Sequence, residues 1–373
     1  MYYDQLLALS ELGHEVYLWH FASATARERF NKFVESEPET WRAVQDHCKS
    51  VNVSDYRNGE NLWNRGLGKV RVLFPPRVPV GRWSVYQEFK LLLNRIRPQL
   101  VWAQHFESAA LAVQQARVPV VYVHHDWLYR IKALRSHRPI NPKQKAIEER
   151  LVRSVSAVVS GSKIECEEIN AAGCPNVHYI PVSFEPVPLN ANGNQNRIPH
   201  LVHLGGMGTT ANREGLLAFF VRVWPALIGL GIRFDVIGET SSAPPALRQH
   251  LTTVNCTGFV HDLAAVLQPF HIQIIPWEYA TGQRTRLPMA FNHGQVVVAT
   301  KAAVACYPEA HDGENCRLVD RLEDMATIIP ELLRDTAERV RLGLAAKATF
   351  ESCFTRKALI SRYADILTSF DQR

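Results

Sequence analysis

The chain of 373 residues has no C-x-x-C pair, and its seven cysteines (48, 166, 174, 256, 306, 316 and 353) are odd in number and scattered. That spacing excludes a disulfide framework and a zinc site built on paired thiols, and predicts mostly buried free thiols. No apolar run approaches the ~20 residues that span a bilayer, which excludes a transmembrane helix. The amino terminus lacks the basic-then-apolar layout of a signal peptide and opens on an amphipathic helix, so a cytoplasmic location is expected. Internal repeats of roughly 20–50 residues are missing too.

What is present is an ordinary globular composition, 46% hydrophobic and 21% charged, at a length that suits two domains. The formal net charge of +6 is modest, and no nucleic-acid partner is expected. One segment, Arg130 to Arg153, is locally basic and includes Lys132, Arg135, Arg138, Lys143, Lys145 and Arg150. A solvated helix face is the plainer reading. Contact with anionic lipid or an anionic acceptor is the sharper one, and lipid contact would place the protein at the inner face of the membrane.

A predicted helix at Tyr2–Leu12 stops at Gly13 and gives way to a predicted strand at Glu15–Trp19. Apolar runs predict strands at Gln99–Ala103, Val118–Val123, Ala157–Ser160 and His178–Ile180, separated by helices at Ser84–Ile96, Glu107–Gln115 and Ile164–Ala172. Such alternation implies a parallel sheet covered on both faces. Residues 186–198, rich in Pro, Asn and Gly, read as a linker. The rhythm restarts with a strand at His200–Leu204, a helix at Arg213–Leu227 and strands at Arg233–Ile237 and Val254–Phe259. The predicted class is α/β, with two doubly wound, Rossmann-like parallel-sheet domains facing a cleft. The first spans 1–185 and the second 199–352, and a terminal helix, 353–373, is expected to pack back on the first.

The densest stretch is 281–300, TGQRTRLPMAFNHGQVVVAT, flanked by apolar strands at Phe270–Pro276 and Val296–Ala299. The turn between them therefore lies at the carboxyl edge of a buried parallel sheet, where ligands bind in open α/β folds. Gly282 permits a tight turn, a helix starting near Thr285 directs N–H groups at it, and Arg284 and Arg286 add fixed positive charge. Together these features predict an anion site that suits a diphosphate.

Several motifs in this order resemble the GT-B glycosyltransferases, and among them the retaining family-4 type. In the carboxyl half they are Gly205-Gly206 followed by Asn212-Arg213-Glu214-Gly215, Phe234 to Gly238 (FDVIG), Gly258 to Asp262 (GFVHD), the 281–300 block, and Asp312 to Val319 (DGENCRLV). The amino half adds Leu9 to Val16 (LSELGHEV), Val123-His124-His125-Asp126, Ser160-Gly161-Ser162 and Asn176 to Pro181 (NVHYIP). The resemblance implies a nucleotide-diphosphate sugar held by the second domain, an acceptor on the first, retention of anomeric configuration, and no metal or other cofactor. It assigns the donor diphosphate to Gly205, Gly206, Arg213, Gly282, Gln283, Arg284 and Arg286, because preorganised cations and amides stabilise charge growing on the leaving group. It makes His125, His124 and Asp126 the catalytic candidates. His125 matches the pattern best, yet strand alternation points only one of the two imidazoles inward and leaves the choice open.

Two departures qualify the resemblance. Family members carry two carboxylates near the 281–300 block, the second holding the nucleotide ribose, and here Met289 occupies that second position. A thioether cannot accept two hydroxyl bonds as a carboxylate does. Glu278, Thr281 and Met289 are accordingly the candidate contacts to the donor sugar or base. The second departure is at the start, where a first strand and glycine-rich loop are missing and neighbouring strand edges are expected to lie unpaired. A late start codon or a shortened chain would each account for it. The leading expectation is a retaining glycosyltransferase with an unidentified acceptor: a glycan, a lipid-linked sugar or a small metabolite. A nucleotide-sugar epimerase of the same fold, which needs clustered carboxylates, and a noncatalytic nucleotide-sugar-binding protein are the alternatives.

Overall fold

Runs rich in valine and isoleucine, such as Val120–Val123, Ile272–Ile275 and Val296–Val298, leave no room for a polar face and form strands covered on both sides. A computed structural model describes residues 2–21, 24–54, 83–189, 199–280 and 282–371. The chain divides into two compact units. The amino-terminal unit comprises 1–160, 166–180 and 360–373, and the carboxyl-terminal unit 161–165 and 181–359.

The carboxyl-terminal unit contains β7 (Leu201–Leu204), β8 (Phe234–Ile237), β9 (Asn255–Gly258), β10 (Ile272–Ile275), β11 (Val296–Thr300) and β12 (Arg317–Val319). They make one sheet in the order β12-β11-β10-β7-β8-β9, with all strands parallel. Chain order runs outward in both directions from the β7–β10 pair. That pair is the topological switch point, where a crevice opens beyond the carboxyl ends of the strands. Phe219, Phe220, Phe234, Leu201 and Val298 fill the core on one face.

The amino-terminal unit holds two parallel sheets. One pairs β1 (Tyr17–Phe21) with β2 (Ser50–Ser54), and the other runs β3 (Val101–Gln104), β4 (Val120–His124), β5 (Ala157–Ser160), β6 (Val177–Tyr179). Among the described residues, β1 and β3 each have one edge without a strand partner. Trp19 and Phe21 of β1 pack against the apolar cluster that holds Ala103 of β3 and Tyr122 of β4, and helices add further contacts to each sheet. Trp19 of β1 stacks on Phe89 at 4.8 Å, and Gln5 of the first helix accepts hydrogen bonds from Trp102 and Gln104 of β3 at 3.1 and 2.6 Å. The terminal helix Arg356–Asp371 contributes Arg362, which donates to the Tyr179 carbonyl at 3.2 Å, and Tyr363, whose ring lies 6.0 Å from that of Trp102.

Several boundaries differ from expectation, for local reasons. The first strand forms at Tyr17–Phe21 instead of Glu15–Trp19, because its parallel pairing runs from Tyr17 opposite Ser50 to Phe21 opposite Ser54. The helix expected at Arg213–Leu227 spans Thr210–Arg222: Thr209 caps its start, and Pro225, which has no N–H to give, ends regular α-helix just beyond it. All seven cysteines are free thiols, and Cys166, Cys174, Cys306 and Cys316 are buried.

The expected linker begins at 186, but the units divide earlier, between Ile180 and Pro181. Lys347, only 6% exposed, explains why the chain is held before the linker. Its ammonium donates to the carbonyls of Val187 at 2.6 Å and Asn292 at 3.0 Å, while Asn292 in turn donates to the Glu185 carbonyl at 2.8 Å. Burial lowers the Lys347 pKa, and the carbonyl cage offsets part of that cost. Lys347→Met strips those carbonyls of their donor and is expected to lower unfolding free energy by about 2 kcal/mol in urea titrations. A loss under about 0.5 kcal/mol would show that the 181–189 stretch is held by other contacts.

Candidate functional site: an arginine at the sheet's switch point

The end of β7 runs into Gly205-Gly206, and the end of β10 leads through the 276–285 turn to a helix at Arg286–Asn292. Gly205 has φ +136°, which only glycine adopts at ease, and a Cβ there would lie 2.5 Å from Asn212 Nδ2 and 3.2 Å from Arg286 Nη2. The loop therefore passes directly against two side chains. Asn212 links the two strand ends: its Nδ2 donates to the Gly206 carbonyl at 2.6 Å, and its Oδ1 accepts from Arg286 Nη2.

Arg286 is the electrostatic centre of this edge. Its hydrogen-bond partner is a neutral amide, its charged neighbour is Arg284, and no carboxylate of the described residues forms an ion pair with it. Burial first, and then Arg284, push its pKa down to about 9. His203 of β7, fully buried, is kept neutral by burial and by the same guanidinium. A cation set among neutral groups is destabilising until an anion joins it. The Thr210–Arg222 helix starts just after the glycine loop, so its positive end adds to the attraction.

The helix expected to aim N–H groups from Thr285 proves short, seven residues, and its third residue is Pro288, which has no N–H. The longer helix at this edge is the 13-residue one that follows the glycine loop. Arg213 folds back on that loop, donating to the Met207 carbonyl at 2.9 Å. Arg284 lies over the Trp277 ring at 5.6 Å. Gly282 is buried, and its N–H donates to Glu165 at 3.1 Å. Gln283 lies against Gly161. Thr281 lies outside the described residues. Glu278 is engaged on the surface, bound by Arg222 at 2.6 and 3.1 Å while Arg222 also holds Glu323 at 2.7 Å. Met289 packs into the apolar cluster of Val202, Ile237 and Leu267. The surroundings of Met289 are therefore apolar.

In the amino-terminal unit the two adjacent histidines part company, as strand alternation requires. His124, 2% exposed, packs edge-on to Trp127 with ring centroids 4.8 Å apart and belongs to the core. His125 sits at the carboxyl edge, its Nε2 3.2 Å from Gln104 Oε1 and its ring 4.3 Å from that of His105. Burial, then His105 and His124, push its pKa down to about 3, so it is a neutral imidazole across the physiological range. Asp126 follows in the turn before the Leu128–Ser136 helix. His105 escaped the sequence reading. It holds φ +65°, a conformation that costs a non-glycine residue roughly 1 kcal/mol. The available signal was positional, since it follows β3 directly just as His125 follows β4. Asn212 was also missed, because its role depends on contact with Arg286, 74 positions away.

Arg286→Met is expected to weaken binding of inorganic pyrophosphate at least tenfold, roughly the value of a charged hydrogen bond, while leaving the ligand-free melting temperature no lower. In the wild type, affinity should fall as salt is raised at constant pH, because the attraction is between charges. Calorimetry across salt concentrations tests both, and equal affinity in the two proteins would remove Arg286 from the anion site.

Two family models match the chain: Glycosyltransferase Family 4 over residues 2–187 and Glycosyl transferases group 1 over residues 198–335. No curated protein matches it by sequence. The structure of Anabaena HepE in complex with UDP superposes with a TM-score of 0.70 at 17% identity, covering 98% of this chain and 96% of that one. Sucrose-phosphate synthase from Thermosynechococcus elongatus gives 0.64 at 15% identity, with 88% and 84% covered. A glycosyltransferase from Rickettsia africae gives 0.64 at 13%, with 99% and 94% covered. At such identities the superpositions speak for the fold, two Rossmann-like domains of the GT-B type, while the family models match the sequence itself. The chain belongs to the GT-B glycosyltransferases of the family-4 type.

Proposed function

We propose that the protein is a cytoplasmic, metal-independent, retaining glycosyltransferase that moves a sugar from a nucleotide-diphosphate donor to a glycan, a lipid-linked sugar or a small metabolite. The observation that carries this reading is Arg286, a partly buried cation with no carboxylate partner at the switch point of the carboxyl-terminal sheet. A diphosphate leaving group supplies the missing charge. Its negative charge grows as the glycosidic bond breaks, so Arg286, with Arg284, Arg213 and the glycine loop, would stabilise the transition state more than the ground state. These arginines can neutralise a diphosphate without a metal. His125 and His105, neutral and adjacent, are suited to hydrogen-bond sugar or acceptor hydroxyls rather than to carry charge.

The partner reading extends to the membrane. Residues 130–153 hold eight basic and two acidic side chains, a surplus equal to the net +6 of the whole chain. One of those acids, Glu148, is buried, accepting the N–H groups of Leu128 and Tyr129 at 2.7 and 2.9 Å. Residues 135–143 are exposed throughout, with Ile140 at 47% among them. A basic ledge with an apolar tip suits an anionic bilayer surface. No helix of the described residues is long and apolar enough to cross a membrane.

Incubation with UDP-, GDP- and ADP-sugars tests the transfer reading, with the product anomer read by proton NMR. HepE has been solved with UDP-glucose, which makes UDP-sugars the first to try. Transfer or slow hydrolysis with retention is expected. Interconversion of the donor would favour an epimerase, and thermal stabilisation without turnover a binding protein. Removing His105 and His125 together should cut turnover roughly 100-fold while nucleotide binding holds. For the ledge, cosedimentation is expected with phosphatidylglycerol vesicles and not with phosphatidylcholine. It should weaken in salt and in the Lys143→Glu/Lys145→Glu variant. Equal partition to both vesicle types would remove the membrane from the proposal.

A further inference from the structure

Five residues from the amino half of the chain, Gly161 to Glu165, pack in the carboxyl-terminal unit. The proposed function gives them no task. Glu165 is 1% exposed, and its Oε1 accepts the Gly282 N–H at 3.1 Å across 117 positions of chain. The segment that carries it is fastened along its length. Lys163 N–H donates to the Cys306 carbonyl at 2.9 Å, and Ser162 Oγ accepts the Glu165 N–H at 3.4 Å. Gly161 lies so close to the Gln283 side chain that a Cβ there would approach its amide carbon and nitrogen to 2.2 Å. A side chain at 161 would push the turn out of place. The Cys306 thiol responds to both Glu165 and Arg284, in opposite directions, which puts carboxylate and guanidinium in one neighbourhood.

Gly282 has φ +55° and precedes Arg284 and Arg286 in the same turn. An N–H that already donates to a buried carboxylate is not the phosphate donor that the sequence suggested. It is a fastening point. Leaving a buried N–H without its acceptor is costly, and this hydrogen bond holds a turn with little regular structure of its own. We propose that Glu165 is a positioning residue that fixes the Gly282 turn and, through it, the aim of Arg284 and Arg286 at the donor diphosphate. The inference rests on the diphosphate reading above for its ligand, and on geometry alone for the hold on the turn.

Glu165→Gln keeps an oxygen acceptor for Gly282, whereas Glu165→Ala removes it. The amide exchange of a peptide spanning 280–287, followed by mass spectrometry, should be faster in the alanine variant and near wild type in the glutamine variant. UDP and GDP affinities by calorimetry should fall about tenfold with alanine and within about threefold with glutamine. A merely structural role would lower the melting temperature of both variants without this split. Should the alanine variant fail to fold, Glu165→Asp, one methylene short of Gly282, takes its place. A wild type that binds neither nucleotide overturns the diphosphate reading, while the exchange comparison still decides the hold. Unchanged exchange in the alanine variant, or unchanged nucleotide affinity where the wild type binds, overturns the proposal.

Discussion

A guanidinium among neutral partners governs the ligand edge of the carboxyl-terminal unit. Arg286 reaches Asn212, lies beside a neutral His203, and shares its charge field with Arg284 instead of with an acid. Close packing of two loops around it demands glycine: a Cβ at Gly238 would meet the Gly205 carbonyl carbon at 2.7 Å, and one at Gly205 would meet Asn212. The polar residues near this edge thus leave the guanidinium without an acid beside it, and a cation so placed costs stability locally.

The amino-terminal unit uses burial differently. Of two consecutive imidazoles, one is absorbed by an aromatic core and the other is held at the strand edge beside a second histidine. Keeping both edge imidazoles neutral suits hydrogen bonding in which donor and acceptor roles can exchange by tautomer. The conformational cost at His105, which glycine would avoid, is borne by a residue whose ring meets His125.

Much of this was legible in the sequence because periodicity and turn chemistry are local. β5 falls at Ala157–Ser160 as read, and the β10 and β11 runs stand out because strands buried on both faces need continuous apolar residues. The glycine–arginine turn was visible for the same reason. Contacts between distant segments were not visible. Asn212 meets Arg286, and Glu165 meets Gly282, only after the sheet has brought separate strand ends together. Glu278 shows the converse: a carboxylate at a plausible spacing is taken by Arg222 on the outer surface. Met289 was noticed as a missing carboxylate, but its apolar neighbours come from strands and loops that spacing cannot align.

The order in which the chain leaves the ribosome gives the terminal helix a further meaning. Residues 360–371 complete the amino-terminal unit, with Tyr363 against Trp102 and Arg362 on the Tyr179 carbonyl. The unit whose first residues are synthesised earliest must therefore wait for residues 360–371. At roughly 5–20 residues per second, that interval is about 10–40 s, during which the Trp102 ring has the first helix beside it but not Tyr363. Folding of the carboxyl-terminal unit, whose 181–359 stretch is contiguous, can finish earlier and deliver that helix to a waiting surface.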